Sequence, residues 1–488
     1  MLNRRARGRV ALLVAGVCLA GTACGIRVPD SEVNAAEGNS GAVAAEGTTV
    51  AGSDAAIPTE ATDVTVPGPA TTTAGTGAAA PTGSTGTAPS TTTATAGTAG
   101  KGNKPAATAA PTVGGACTKQ LEPIKLGQTG AFSGLLGQAS GLIRLGLAVW
   151  ARDVNARGGV QCHPIQLFQV DDGSDPARTA SNVNDLVQTK GVVSMIGSYV
   201  PITLDAYRRE VNRLKVPTVG GDGILPPWNE DPLLFPAGTS SDVIYTATAK
   251  VLAQATGKTK LGVISCVEAS VCPFIAQQVK DAANAAKGGY QVVAQQSSSM
   301  TQTDFTAECQ NMKNAGAEFL WLALDGASDQ RFARSCLAID YKVPFATVPI
   351  ALGAASARDP NVRDFGVYFA SSLAPFPATD NPGLKEFHAA MARFNPGGPF
   401  DGSAMLGWAA GKLFEAGMAK VPQARTGPVA TALVLQGLYS LKNETLNGLS
   451  PGVTFRAGQG AAKQNCYYTI LLNSSGFTAP NGSKKDCF

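Results

Sequence analysis

Residues 28–115 set the strongest limit on what this chain can fold into, because they contain no Phe, Trp, Tyr, Leu or Met. Thr, Ala, Gly, Ser and Pro fill the stretch, with runs of three threonines at positions 71–73 and 91–93. Such a composition buries too little apolar surface to offset the entropy of ordering the backbone. The sequence therefore predicts a disordered stalk over residues 25–115 and a folded domain over residues 116–488.

The first 24 residues have the pattern of a bacterial export signal. Arginines at positions 4, 5, 7 and 9 precede an apolar run over residues 10–20, which is too short to span a bilayer comfortably. Small residues then lead to Cys24, as in a lipobox, although Gly21 stands where that motif usually has Leu. We expect a signal peptide over residues 1–24 with lipidation of Cys24. A plain secretory signal cut nearby is the alternative.

Eight cysteines lie in the predicted domain. An even number in an exported chain favours disulfides over metal or thiol chemistry. The sequence alone does not fix the connectivity, and we predict that each cysteine pairs with the next one along the chain. The predicted pairs are Cys117–Cys162, Cys266–Cys272, Cys309–Cys336 and Cys466–Cys487.

Several functional classes find no support in the sequence. The formal net charge is +4, and no Lys/Arg block occurs beyond the N-terminus, so a nucleic-acid surface is not indicated. The chain has two histidines, His163 and His388, and no Cys-x-x-Cys, P-loop or His-Glu-x-x-His motif. We therefore predict no catalytic residues, no metal site and no cofactor, and we expect that the protein is not an enzyme.

Beyond Cys117, short apolar runs that predict strands alternate with stretches of helical periodicity, and this alternation occurs twice. Such alternation implies parallel sheets covered by helices. The predicted fold class is α/β with two lobes, each a parallel sheet flanked by helices. Strands are predicted at 124–128, 165–170, 192–196, 216–219, 261–265, 290–294, 319–324, 345–348 and 467–472. Helices are predicted at 134–157, 202–214, 243–255, 275–286, 304–314, 330–339, 384–394, 404–418 and 429–441, and from 175 onward.

Short motifs in this region occur in the order and spacing of a known family. They are Gly-Ala-Phe-Ser-Gly at 130–134, Asp-Val-Asn-Ala-Arg-Gly-Gly-Val at 153–160, Asp171-Asp172 followed by Asp175-Pro176, Val-Ser-Met-Ile-Gly at 193–197, and Asp304-Phe305-Thr306. Together they make residues 117–488 resemble the leucine/isoleucine/valine-binding proteins of ABC importers, which have the type I periplasmic-binding fold.

This resemblance implies two lobes joined by three crossings of the chain, with the first lobe at about 117–235 and 375–451 and the second at about 236–374 and 452–488. It implies an extracytoplasmic protein that captures a small ligand, an amino acid or a related small polar molecule, for ABC permease subunits. We expect a monomer, held at the outer face of the cytoplasmic membrane by its lipid alone. A ligand-sensing or scavenging surface lipoprotein that is not coupled to transport is the alternative.

Ligands of this fold bind beyond the carboxyl ends of the strands. The candidate ligand-binding residues there are Phe132, Ser133, Ser198, Tyr199, Gly221, Asp222 and Asp325. Other roles stay open for four of them. Ser133 also suits capping of the next helix, and Tyr199 suits packing within its lobe. Asp222 also fits a solvent-facing turn, and Asp325 fits a helix N-cap.

Three residues depart from what the resemblance implies for an amino-acid ligand. Pro201 stands where the family has a serine donor to the ligand carboxylate, and Gly223 stands where a hydroxyl is expected. Ile350 stands near the position of the acid that binds the ligand ammonium. Since a pocket built for a zwitterion needs those groups, we expect a ligand other than a branched-chain amino acid, with a cationic group near Asp222 or Asp325.

Overall fold

The computed structural model describes Cys117 and residues 119–488. The predicted signal peptide, Cys24 and the predicted stalk lie outside the described residues. In the described part of the chain, no helix has both the length and the apolar character that crossing a membrane requires.

The strands form two sheets. The first sheet has the order β2-β1-β3-β4-β5 and is parallel throughout. Its strands are β1 (Ile124–Gly130), β2 (Ile165–Asp171), β3 (Ser194–Ser198), β4 (Thr218–Gly221) and β5 (Leu234–Phe235). The apolar runs of these strands are buried because helices cover both faces of the sheet, as is usual for parallel sheets.

The second sheet has the order β12-β11-β10-β9-β8-β6-β7, with β13 paired to β11. Its strands are β6 (Lys260–Cys266), β7 (Gln291–Ser298), β8 (Phe319–Ala323), β9 (Phe345–Thr347), β10 (Val367–Ser371), β11 (Cys466–Asn473), β12 (Gly476–Thr478) and β13 (Asp486–Cys487). Strand β11 runs antiparallel to β10, β12 and β13. The second sheet is therefore mixed: β6–β10 form the predicted parallel sheet, and the antiparallel strand β11 extends it.

Thirteen α-helices are found among the described residues. They are α1 (Gly137–Ala156), α2 (Pro176–Asn184), α3 (Leu204–Leu214), α4 (Pro227–Glu230), α5 (Ser241–Thr256), α6 (Val271–Lys280), α7 (Ala282–Gly288), α8 (Thr306–Asn314), α9 (Gly326–Ala338), α10 (Pro360–Phe365), α11 (Pro382–Phe394), α12 (Gly402–Met418) and α13 (Thr431–Tyr439). Short 3-10 turns occupy Gly134–Leu136, Pro349–Ala351, Ser356–Arg358, Pro422–Arg425 and Leu446–Gly448, and one π-helical turn occupies Asp185–Thr189.

The chain crosses between the sheets three times, because α11–α13 follow β10 of the second sheet yet pack on the first. Helix α12 lies against α1 so closely that a Cβ on Gly146 would stand 1.9 Å from the Ala404 carbonyl oxygen. The buried indole of Trp150 on α1 donates to Glu415 of α12 over 2.7 Å. We define the first lobe as β1–β5 with α1–α4 and α11–α13, and the second as β6–β13 with α5–α10.

The single helix predicted over residues 275–286 is wrong. The structure has α6 and α7 there, separated at Asp281, whose backbone is extended with ψ 128°. The Asp281 carboxylate accepts from the N–H groups of Ala283 and Asn284, each over 3.0 Å. An N-cap of this kind stabilises the start of a new helix, so the aspartate interrupts a stretch whose apolar periodicity is continuous.

Four disulfides join Cys117–Cys162, Cys266–Cys272, Cys309–Cys336 and Cys466–Cys487. These are the neighbour pairs that the sequence predicts. The first lies in the first lobe and the other three lie in the second lobe, where Cys266–Cys272 joins the end of β6 to α6.

Candidate functional site

The residues that follow the parallel strands of both sheets line one cleft. Two of its cavities are both lined by Ile224, Val348 and Ile350. Because the same three side chains line both, the cavities are adjoining parts of the cleft. We call them the apolar chamber and the hinge chamber.

The apolar chamber has a volume of about 60 Å³ and is lined from both lobes. Its lining consists of Leu136, Tyr199, Pro201, Ile202, Ile224, Cys266, Ala269, Val271, Ile275, Met300, Ala323, Leu324, Asp325, Val348, Ile350 and Ala351. Asp325 is the one carboxylate among them, and no Lys or Arg of the described residues belongs to this lining. Such a surface favours an apolar group, because burying apolar area is favourable while burying an unpaired charge is costly.

The hinge chamber has a volume of about 70 Å³ and lies where the first two crossings of the chain pass between the lobes. Thr239 belongs to the first crossing, and Ser371, Ser372 and Leu373 begin the second. Apolar side chains, among them Phe369, Phe376, Met405, Leu406 and Ile470, complete much of the wall. The polar groups are the Asp222 carboxyl and the hydroxyls of Thr239, Ser241, Ser371 and Ser372. This chamber therefore offers hydrogen-bonding groups that the apolar chamber does not.

Asp222 is buried at the edge of the hinge chamber, with 8% of its surface exposed. Its Oδ2 accepts from the Val200 N–H over 2.8 Å and its Oδ1 from the Ile224 N–H over 2.9 Å. Burial raises the pKa of Asp222 to about 6, although these two hydrogen bonds act to lower it. The solvent-facing turn considered for Asp222 is wrong, because the loops after β3 and β4 close over the carboxyl group.

Two further aspartates tie the loops of the first lobe together. Asp171 Oδ1, at the end of β2, accepts from the N–H groups of Phe132 and Ser133 in the loop after β1, over 2.8 and 3.2 Å. Burial acts to raise the pKa of Asp171, but its hydrogen bonds outweigh burial and lower the pKa below the ordinary value. Asp172 is fully buried and accepts from the hydroxyls of Thr179 and Thr203 over 2.9 and 3.4 Å, and burial raises its pKa.

Asp325 is the N-cap of α9. Its Oδ2 accepts from the Ala327 N–H over 3.1 Å, and its Oδ1 accepts from the Ser328 N–H over 3.3 Å and from the Ser328 hydroxyl. The carboxylate also lines the apolar chamber with 9% of its residue surface exposed. Of the two roles that the sequence leaves open, the structure shows the cap. Both oxygens take part in the cap.

Four predicted ligand-binding residues do not line either chamber. Phe132 lies under the Arg144 guanidinium, 5.1 Å from ring centroid to Cζ, and Ser133 is exposed without a side-chain bond to the turn it precedes. The Ser198 hydroxyl accepts from Tyr207 over 3.0 Å inside the first lobe. Gly221 packs under Trp228, where a Cβ would lie 2.0 Å from the indole ring. In this structure the four residues make contacts within the first lobe, and their part in ligand binding stays a prediction.

Tyr199 lies in the apolar chamber and is almost completely buried, and burial raises its pKa well above the ordinary value. Pro201 also lines this chamber, Gly223 lines the hinge chamber, and Ile350 lines both. The three residues that depart from the amino-acid pattern thus all belong to the cleft. A Cβ on Gly223 would have no atom within 4 Å, so the missing hydroxyl leaves open space.

The sequence did not point to several residues that line the cleft, above all Ser241. The signal available was a pair of serines, Ser240 and Ser241, directly before a predicted helix, which is typical of a helix start. The apolar residues of the second lobe, such as Val271 and Ile275, carry no such signal. They belong to a helical periodicity that predicts core equally well.

A Gly-x-Ser-x-Gly pattern, which positions the nucleophile in many hydrolases, occurs at residues 448–452. It follows a 3-10 turn rather than a strand, and Ser450 is buried with its hydroxyl accepting from the Gly452 N–H over 3.3 Å. The strand-to-helix turn that exposes such a serine is not present at this position. Within the described residues, no three His, Cys, Asp or Glu side chains are grouped as a metal site would require.

Comparisons with known proteins identify the family and support the two-lobed fold. The profile described as periplasmic binding protein matches residues 123–476. No curated protein sequence matches the chain.

Among solved structures, a solute-binding protein of an ABC transporter from R. palustris, in complex with benzoate, has a TM-score of 0.60 at 17% identity, covering 75% of this chain and 98% of that chain. A fatty acid ABC transporter substrate-binding protein from Thermomonospora curvata has a TM-score of 0.63 at 18% identity, covering 74% and 91%. A substrate-binding periplasmic protein from Ralstonia solanacearum has a TM-score of 0.62 at 18% identity, covering 73% and 99%. At these identities the likeness shows the shared fold.

Proposed function

This chain belongs to the periplasmic binding protein family, and we propose that it captures a small, largely apolar molecule outside the cytoplasm and delivers it to an ABC-type importer. The observation that carries the ligand class is the apolar chamber, in which Leu, Ile, Val and Met side chains from both lobes meet. Export, and anchoring through a lipid on Cys24, form part of the same proposal and are supported by the sequence pattern of residues 1–24.

The lining supports a more apolar ligand than the amino acid or small polar molecule that the family resemblance implies. A free zwitterion needs an acid for its ammonium and donors for its carboxylate. Asp325 is committed to α9, and Ile350 stands near the position where the family has its acid. One similar structure is a complex with benzoate, and another is a fatty acid ABC transporter substrate-binding protein. Ligands with a large apolar part therefore fit within this fold.

A thermal-shift screen of the exported protein tests the ligand class. Benzoate, octanoate, leucine and putrescine should each be compared at several concentrations. A ligand at a hundred times its Kd stabilises the native state by about 2.7 kcal/mol and raises Tm. We expect Tm to rise with benzoate or octanoate. A rise with leucine or putrescine alone would contradict the apolar ligand.

Uptake by whole cells tests the coupling to transport. Cells that lack this protein should lose high-affinity uptake of the labelled ligand, and expression of the full chain should restore it. Unchanged uptake, with binding intact in the purified protein, would favour the ligand-sensing or scavenging role instead.

A further inference from the structure

Resting on the proposed capture of an apolar molecule, we propose that the head group of the ligand is a carboxyl group held in the hinge chamber between Ser241 and Asp222. Ser241 begins α5 in the second lobe, and Asp222 follows β4 in the first. Both side chains line the same chamber. The head group would therefore contact both lobes.

Ser241 supplies the donor side of this site. Its residue is 3% exposed, and its hydroxyl has no hydrogen-bond partner within the described part of the chain. A buried hydroxyl without a partner costs free energy unless something else binds it. Because Ser241 lines the chamber at the first turn of the 16-residue helix α5, the adjacent backbone N–H groups and the helix dipole also favour an acceptor there.

The acidic residue in the first turn of α5 does not occupy this site. Asp242 is paired with Lys463, with 2.9 Å between Oδ2 and Nζ, and it does not line the chamber. The first turn of α5 therefore borders the chamber through Ser241, and the nearest carboxylate on its own helix is already paired with a lysine.

Asp222 forms the acceptor side of the site. A ligand carboxyl group can bind beside it only when the two carboxyl groups together hold one proton. Each of its oxygens accepts a single backbone N–H, and no Lys or Arg of the described residues lines either chamber to balance its charge. A ligand carboxylate beside an ionised Asp222 would be repelled, whereas a single proton shared between the two carboxyl groups makes a hydrogen bond. Since burial raises the pKa of Asp222 to about 6, protonating this carboxyl group near neutral pH costs little free energy.

The other titratable groups around Asp222 supply neither the shared proton nor a positive charge that would balance its carboxylate. Tyr199, Tyr207 and Tyr245 face it from the loop after β3, from α3 and from α5, and burial raises the pKa of each phenol well above its ordinary value. These phenols stay neutral over the pH range in question. Asp325, on the opposite lobe, is engaged in capping α9.

The three side chains that line both chambers set the direction in which the apolar part of the ligand extends. A carboxyl group at Ser241 and Asp222 would have its apolar body directed past Ile224, Val348 and Ile350 into the apolar chamber. An ammonium head group would pair with an ionised Asp222 but would place its positive charge at the first turn of α5, which the helix dipole disfavours.

Three probes with the same chain, octanoate, octanamide and octylamine, distinguish the head groups by titration calorimetry with the full exported protein. We expect octanoate to bind best at pH 6 and to lose about tenfold in affinity for each pH unit above that, because one proton is taken up with it. Octanamide can donate to an ionised Asp222 and should vary much less with pH. Tighter binding of octylamine than of octanoate would overturn the carboxyl head group while leaving apolar capture standing. Binding of none of the three would contradict the proposed function as well.

Matched variants locate the site. Ser241→Ala should weaken octanoate about tenfold or more, the loss expected for a hydrogen bond to a charged group. Ser240→Ala is the control, because Ser240 is also 3% exposed and precedes Ser241 directly but does not line the chamber. Asp222→Asn should flatten the pH profile of octanoate binding. Equal affinities of the Ser241 and Ser240 variants would overturn the proposal.

A competing position for the head group is also open to test. Arg358 lines a third cavity of about 210 Å³, which shares Asp325 and Ala351 with the apolar chamber. Arg358→Gln should leave octanoate affinity unchanged. A loss in this variant that equals or exceeds the loss in Ser241→Ala would place the carboxyl group at Arg358 and overturn the proposal.

Discussion

In the first lobe, aspartates join the loops at the cleft to one another, whereas in the second lobe the loop after β6 is closed by a disulfide and by the exposed Glu268. Asp171, Asp172 and Asp222 connect the loops after β1, β2, β3 and β4 by hydrogen bonds. In the second lobe, Cys266–Cys272 closes the loop after β6, and the exposed Glu268 accepts from the Met300 N–H over 2.7 Å.

The two kinds of link differ in how they respond to protons. Carboxyl groups buried among loops can change protonation when a ligand arrives, and a disulfide cannot. The loop after β4, which holds Asp222, should therefore respond to pH and to a charged ligand, whereas the loop after β6 should be a more constant surface. Four predictions test this contrast, beginning with the largest expected effect.

Close packing under Trp228 should be the most sensitive point of the first lobe's side. In Gly221→Ala, the new Cβ would lie 2.0 Å from the indole at a φ of +150°, so we expect a loss of about 4 kcal/mol in the free energy of unfolding, measured by urea denaturation. Gly223→Ala is the control, because its Cβ meets nothing within 4 Å and only its φ of +61° is strained, at about 1 kcal/mol. Equal losses in the two variants would show that the indole does not fix this loop.

The pH dependence of stability should contain a component from Asp222. Its pKa in the folded protein, about 6, lies above the value of about 3.9 for an unfolded chain, so the protonated form is favoured in the native state. The stabilisation from protonated Asp222 is about 3 kcal/mol. It is fully present below pH 4 and is lost as the pH rises through 6.

Denaturation at pH 4 to 8 in the wild type and in Asp222→Asn checks this, because the asparagine does not titrate. Other buried acids, such as Asp401, contribute equally to both proteins. Parallel stability curves for the two proteins would refute the Asp222 component.

The Cys266–Cys272 disulfide of the second lobe should contribute less to the free energy of unfolding. Replacing both Cys266 and Cys272 by Ser opens a loop with a sequence separation of 6, and the chain-entropy argument gives a loss of about 2 kcal/mol. We expect the same loss at pH 5 and pH 8, since no titrating group is removed. A loss that depends strongly on pH would break the contrast between the two sides of the cleft.

The smallest effect is expected at the N-cap of α9. Asp325→Ala removes the acceptor for Ala327 and Ser328 and should cost about 1 kcal/mol, measured by thermal unfolding. Asp325→Asn keeps a capping oxygen and serves as the control. Octanoate affinity should change little in either variant. A tenfold loss of affinity in both would return Asp325 to the ligand site.

The fold could be predicted from sequence because the alternation of apolar strands and amphipathic helices is local information. The order of motifs supplied the two lobes. Strand β12 of the tail was missed because three residues carry too little periodicity to be recognised, and β10 was missed although strands of similar length were predicted. The break at Asp281 was missed because its effect depends on the cap it makes rather than on the apolar pattern around it.

The candidate site was less predictable, since it depends on which side chains face the cleft. The sequence indicated Asp222, but its burial arises from the Val200 and Ile224 loops closing over it. Ser198 and Gly221 lie on the indicated loops yet face the core of their lobe. Ser241 lies on the other lobe, after a crossing, and only the packing of the two sheets brings it to the chamber that Asp222 lines.

Each disulfide among the described residues joins two cysteines that are consecutive along the chain. A polypeptide that leaves the cytoplasm N-terminus first presents both partners of each bond before the next pair emerges. Oxidation in order of emergence then selects the native set from on the order of a hundred possible pairings. Disulfide shuffling, which takes seconds to hours, is not required. Maturation of this protein after translocation should therefore depend on an oxidant and proceed without a disulfide isomerase.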